Sequence, residues 1–177
     1  GIQVGALHPA FPFATDSMPS LAGVTFAVEA ESPHLAGQLQ RLVAALGGLT
    51  LTLHPHDRPR YHAALVMVSN YAVTLYAAGQ QLLTMLGASS DAADSALITL
   101  LEATVNNIRA RGIPNALTGP LMRADLGTVS AHLDALADTP SIHAAYLALA
   151  HLTLPLVEKR GVEIAPIQAL LHQKENV

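Results

Sequence analysis

The sequence predicts a mainly α-helical chain that opens with a small α/β portion. Two observations carry this. Up to Leu53 the apolar residues fall in short runs or alternate with polar ones, with Pro, Gly or Ser between runs. Beyond Asp57 every apolar run has helical spacing.

The elements follow in order. Ile2 to Leu7 reads as a buried strand that ends at His8-Pro9, since proline cannot continue a hydrogen-bonded ladder. Val24, Phe26 and Val28 alternate with Thr25, Ala27 and Glu29, the pattern of a half-buried strand. Ser32-Pro33 offers an N-cap and a first-turn proline, Leu35, Leu39, Leu42, Val43 and Leu46 follow at helical spacing, and Gly47-Gly48 closes the helix. Leu49 to Leu53 is a third short strand. Strand, strand, helix, strand is the edge of a larger α/β sheet, too small to stand alone. One long helix is expected from Asp57 to Leu86, central and largely buried, stopped by Gly87. A second runs from Ser90 to Ala110 before Gly112, a third from Asp125 to Ala137, a fourth from Ser141 to Leu154 before Pro155, and a fifth from Ala165 to His172.

Composition narrows the function classes. Of 177 residues, 51% are hydrophobic and only 12% charged, about half the usual share of roughly 25%. So little charge leaves apolar surface for another domain or a second copy to cover, which predicts a homodimer or a piece of something larger. Net charge is −4 and the nine Lys and Arg are scattered, so nucleic acid is not an expected partner. Cysteine is absent, which fits a cytoplasmic protein and excludes thiolate metal sites. The chain opens at Gly1 without a visible signal peptide, and an upstream segment is compatible with that start. Tyr61 to Leu86 is apolar enough to suggest a membrane span, but Ser69, Asn70, Gln80 and Gln81 interrupt it, so no membrane role is expected.

Three segments are more specific. They are Gly5-Ala6-Leu7-His8-Pro9 with Phe13, Tyr61-His62-Ala63-Ala64-Leu65-Val66-Met67-Val68-Ser69-Asn70-Tyr71, and Ala116-Leu117-Thr118-Gly119-Pro120-Leu121-Met122-Arg123-Ala124-Asp125 leading to His132-Leu133. In this order they resemble the C-terminal domain of uncharacterised function that follows a Rossmann-like half in predicted NADP-dependent oxidoreductases. Those proteins are similar overall to ketopantoate reductase, pyrroline-carboxylate reductase and 6-phosphogluconate dehydrogenase. The resemblance implies that residues 1–55 are the last part of a Rossmann-like α/β domain. It implies that residues 56–177 form a helical dimerisation and substrate domain like the C-terminal part of 6-phosphogluconate dehydrogenase. It further implies an NADP or NAD cofactor, bound mainly by an upstream domain, and a small carbonyl, imine or hydroxy-acid substrate. Two departures stand out. The family usually reads Arg-Gly-Asp where this chain has Arg123-Ala124-Asp125, and the strand–G-x-G-x-x-G–helix fingerprint of dinucleotide binding is missing.

The candidate chemistry lies in three places. His62 and Ser69 are seven residues apart, about 700° around a helix and so on one face, with Asn70 beside them. In a buried helix these groups need partners or cost roughly 1–3 kcal/mol each. They read either as a substrate-facing cluster or as helix-to-helix hydrogen bonds. The resemblance adds a catalytic side chain and an Asn on this helix, with His62 as the proton donor or acceptor, a role suited to a side chain whose ordinary pKa is about 6.5. Asp125, Thr128 and His132 share a face, and Asp125 with Thr128 also fits a simple N-cap. Arg123 could grip a carboxylate or phosphate, or anchor the Thr118-Gly119-Pro120 loop. His8 ends a strand at the sheet edge where α/β folds collect ligands, and it could equally anchor the turn. His54, His56 and His62 lack metal-ligand spacing, so no metal is expected, and His34, His143, His151 and His172 read as surface or interface residues.

Two rivals to the oxidoreductase reading remain. One is a non-catalytic dimeric binding or scaffold module that retains the fold. It is supported by the lysines, which are only Lys159 and Lys174, so the long helix carries none. The other is a stand-alone small-molecule sensor.

Overall fold

A computed structural model describes residues 2–13 and 20–175, so Gly1 lies outside the described residues. The chain is mainly helical with a small N-terminal sheet, and it divides into two compact units, Gly1–Ala77 and Ala78–Val177.

The first unit holds β1 (Gly5–Pro9), β2 (Thr25–Ala30), α1 (Pro33–Ala45), β3 (Leu49–Thr52) and α2 (Arg58–Val68). The sheet order is β1-β2-β3, with β1 antiparallel to β2 and β2 parallel to β3. As expected, β1 ends at His8-Pro9, but it starts at Gly5 rather than Ile2 and is not buried, with Ile2 and Val4 exposed. Proline is tolerated there because β1 is an edge strand. As expected, Ser32 caps α1, its Oγ accepting the Leu35 N–H at 3.2 Å. Gly47 ends the helix in the left-handed region at φ 72°. At Gly48 a Cβ would lie 2.7 Å from the Phe26 ring, so only glycine admits the close approach of α1's exit to β2. Phe26, Val28 and Val43 form the core, with Leu7, Leu21, Val24 and Leu39 against it. Strand alternation therefore turns Leu7, Phe26 and Val28 to one face of the sheet, and Ala6, His8, Ala27 and Glu29 to the other.

The expected long helix is two helices. α2 stops at Ser69 (φ −94°, ψ −67°) and α3 (Asn70–Met85) carries the chain from the first unit into the second. Neither Pro nor Gly marks the break. Ser69 and Asn70 are weak helix formers following the β-branched Val66 and Val68. The expected burial is also absent within one chain: no side chain of α2 or α3 is buried, and Val68 and Val73 are 78% and 70% exposed. The cost of leaving His62, Ser69 and Asn70 unpaired in a core accordingly does not arise here, since all three are exposed.

The second unit holds α4 (Ser90–Arg111), α5 (Leu126–Ala135), α6 (Pro140–Lys159) and α7 (Ala165–Glu175). Val129, Leu133, Leu147, Ala150, Leu154, Val157, Ile167 and Leu171 form one core from α5, α6 and α7. Each fully buried aliphatic contributes about 1.5–3 kcal/mol. That gain explains a second correction, for α6 does not stop before Pro155 but runs to Lys159. Leu154 and Val157, on either side of the proline, are 4% and 0% exposed, and their packing outweighs the hydrogen bond that Pro155 cannot donate. Among the described residues α6 alone is long and apolar enough to cross a membrane; its buried face is this core.

Candidate functional site

A cleft of about 560 Å³ opens in the first unit, on the sheet face opposite the α1 core. Ala6, Leu7 and His8 of β1, Ala27 and Glu29 of β2, Leu53, and Arg58, Pro59, Tyr61 and His62 of α2 line it. Arg58 ties α2 to the sheet, with Nε at 3.2 Å and Nη2 at 2.8 Å from the same Glu29 carboxylate oxygen. One turn further along α2, Tyr61 reaches β1. Its hydroxyl lies 3.2 Å from His8 Nδ1 and 3.5 Å from the His8 carbonyl oxygen, to which it donates. The two rings meet edge to face at 5.6 Å, and His62 presents its ring to His8 in the same manner at 6.3 Å. Burial pushes the Tyr61 phenol above its ordinary range, so at neutral pH it is an intact O–H donor. The arrangement is an apolar-walled cleft with a phenol and two imidazoles at one side, able to hydrogen-bond a ligand oxygen or nitrogen and to exchange a proton with it.

Of the residues singled out by sequence, His8 and His62 meet here. Ser69 and Asn70 are not among the lining residues: Ser69 is the break between α2 and α3, and Asn70 opens α3, its carbonyl accepting from the Thr74 hydroxyl at 3.4 Å. Tyr61, Arg58 and Glu29 were not singled out. The signal available for Tyr61 was its place beside His62 in the second motif.

The remaining candidates lie in the second unit. Asp125 is the N-cap of α5, accepting the Thr128 N–H at 3.1 Å and the Thr128 hydroxyl at 2.7 Å. The Thr128 bonds hold its carboxyl below the usual range, and the Arg123 and His132 charges add to this. His132 Nδ1 lies 3.0 Å from the Tyr146 hydroxyl, a second histidine–tyrosine pair, with rings edge to face at 5.8 Å. Tyr146 and Thr118 line a smaller hollow of about 250 Å³ with Leu117, Pro120, Leu121, Leu149, Ala150 and Thr153. Arg123 is exposed at the end of a short 3₁₀ turn, and Ala124 after it adopts the left-handed conformation, φ 49°. The glycine usual in the resembling family would sit there without strain.

Two passages run from a strand into a helix, Leu53-His54-Pro55-His56-Asp57 between β3 and α2, which has no glycine, and Glu31-Ser32-Pro33 between β2 and α1. Glu31 accepts the Val4 N–H at 3.0 Å, and Ser32 both caps α1 and donates to Gln3 at 2.8 Å. Without glycine, and with a carboxylate at the helix entrance, these residues do not fit a pyrophosphate.

No curated protein matches the chain. The solved structure of protein TM1727 from Thermotoga maritima is similar to it, with a TM-score of 0.79 at 20% identity, over 89% of this chain and 63% of that one. That of the "putative NADP oxidoreductase BF3122" from Bacteroides fragilis is similar with a TM-score of 0.69 at 24% identity, over 85% of this chain and 56% of that one. At these identities the likeness is one of fold, and the chain spans about three fifths of the length of the structures it matches. The family sharing this sequence pattern over residues 24–153 is described as a domain of unknown function (DUF2520), and the chain belongs to it.

Proposed function

We propose that this chain is the substrate-side and dimerisation part of an NAD(P)-dependent oxidoreductase acting on a small carbonyl, imine or hydroxy-acid compound. The observation that carries the reading is the His8–Tyr61 pair, with His62 beside it, in the lining of an apolar-walled cleft. A cleft of about 560 Å³ suits a small molecule. The fold likeness to the Bacteroides fragilis protein supports the same class. In this reading residues 1–55 complete a Rossmann-like domain and residues 56–177 are the helical part, resembling the C-terminal domain of 6-phosphogluconate dehydrogenase.

Because neither strand-to-helix passage fits a dinucleotide, the cofactor belongs to sequence outside this chain. What this chain supplies is orientation and a proton. The neutral Tyr61 phenol donates to a substrate oxygen or nitrogen, and His8 Nδ1, within hydrogen-bond reach, replenishes or accepts that proton. His62 closes the polar side of the cleft. His132 with Tyr146, and Thr118, Arg123 and Asp125, are further substrate-binding candidates in the second unit.

Calorimetry with NADPH and NADH tests the assignment, on this chain and on the product of the whole reading frame. Binding by the longer polypeptide alone is the expected result. Binding by this chain alone contradicts the account of these passages. Binding by neither favours the scaffold reading, which the exposed apolar faces of α3 and α4 would also serve.

A further inference from the structure

The polar groups of the cleft fall into two couples, His8 with Tyr61 and Glu29 with Arg58. They occupy neighbouring rows of the same sheet face. His8 pairs with Ala27 and Ala6 with Glu29, so the rows are two residues apart, roughly 7 Å along the strands. On α2 Tyr61 follows Arg58 by three residues, which puts both side chains on one side of the helix with Cβ atoms about 5–6 Å apart. The walls around the two couples are apolar: Ala6, Leu7, Ala27, Leu53 and Pro59.

Arg58 is only half used. Its Nε and Nη2 both donate to one oxygen of Glu29, so a single edge of the guanidinium is engaged. A guanidinium carries five N–H donors, and its second edge consists of Nη1 with the other Nη2 hydrogen. Nothing among the described residues accepts from that edge, and the Arg58 side chain is 61% exposed. An ion pair so open to water adds little stability. What the Glu29 contact does is hold the plane of the guanidinium within the lining of the cleft. A held plane with one open edge is the geometry that grips a carboxylate through two parallel hydrogen bonds. Phosphate fits less well. Among the described residues Arg58 is the one arginine or lysine of the lining, and Glu29 offsets its charge, so the fork suits a monoanion better than a dianion.

We infer that Arg58 is the carboxylate anchor of the cleft, and that its substrate is a small oxo or imino acid whose reacting carbon lies close to the carboxylate. The short distance between the two couples sets that closeness: one ligand reaches the open edge of Arg58 with its carboxylate and the Tyr61 hydroxyl with its reacting oxygen or nitrogen. The inference rests on the reading of this cleft as the substrate site and narrows the substrate from carbonyl and imine compounds in general to acids.

The test is ligand-observed saturation-transfer NMR on the product of the whole reading frame, without nucleotide. It compares 2-oxobutyrate with 2-oxobutyramide, which has nearly the same shape and no charge. The acid is expected to bind at least about tenfold more tightly. Arg58→Gln, with folding checked by far-ultraviolet circular dichroism, should weaken the acid about 10–100-fold and leave the amide unchanged. Arg58→Lys, which restores the charge without the fork, should recover only part of the loss. The comparison of acid with amide on the wild type does not depend on either variant folding. Equal affinity for acid and amide, no binding of the acid, or a preference for the acid that survives Arg58→Gln would each overturn the proposal. So would inorganic phosphate that binds more tightly than the acid and displaces it. Neither nucleotide nor turnover enters these readouts. An Arg58-dependent preference for the acid without any NADPH-dependent turnover would uphold the anchor and sink the oxidoreductase reading. Turnover of neutral carbonyl compounds with no preference for the acid would do the reverse.

Discussion

The Tyr61 hydroxyl lies 3.2 Å from His8 Nδ1, joining the first turns of α2 to the end of β1 in the lining of the cleft. Register makes this contact possible: His8 pairs with Ala27, and the small side chain beside it leaves the space that α2 and the cleft share.

Tyr61→Phe keeps the ring contact and removes the hydrogen bond. A loss of about 0.5–1.5 kcal/mol is expected in urea denaturation. The same variant should lose one late-ionising phenol in an ultraviolet titration. Burial raises the Tyr61 pKa in the folded state, so its stabilising share is complete below the ordinary tyrosine range near ~10 and is lost as pH rises through the raised value. Loss of an early-ionising phenol would contradict the placement of Tyr61.

Asp125→Ala removes the cap of α5 and should lower the thermal midpoint at neutral pH. The Thr128 bonds depress the Asp125 pKa, so the cap's contribution is present above the ordinary aspartate range near ~3.9 and fades as pH falls below it. Wild type and variant should therefore converge on acidification. A midpoint difference that persists at the acid end would show that Asp125 stabilises by other means than its charge.

Ala124→Gly should stabilise the chain by about 1 kcal/mol, because alanine at φ 49° carries steric strain that glycine lacks. Chemical denaturation measures it, and an unchanged or lowered midpoint would contradict the strain.

Leu133→Ala and Leu171→Ala, both fully buried in the core of the second unit, should each cost about 2–5 kcal/mol. Leu152→Ala, 61% exposed on α6, should cost far less. Comparable losses at all three sites would place the core elsewhere.

Much of the fold was legible because its signals are local. Ser32-Pro33 and Asp125 with Thr128 announce helix starts through hydrogen bonds within a single turn, and both caps form as read. The break at Ser69 was not legible, since no proline or glycine stands there. The run of α6 through Pro155 was not legible either, because burial of Leu154 and Val157 by residues far away in sequence decides it. The site follows the same rule. His8 and His62 were visible as polar residues in suggestive places, whereas Tyr61 stood only as the first residue of the second motif, and the packing of α2 on β1 is what brings its hydroxyl to His8.

The central claim is that the His8–Tyr61 pair handles a proton in the cleft. NADPH consumption by the product of the whole reading frame, across a panel of small carbonyl and imine compounds, tests it directly when wild type is compared with Tyr61→Phe. The account predicts turnover of at least one compound, and a fall in kcat of about 10²–10⁴-fold in the variant. Turnover that is unchanged by Tyr61→Phe would contradict it.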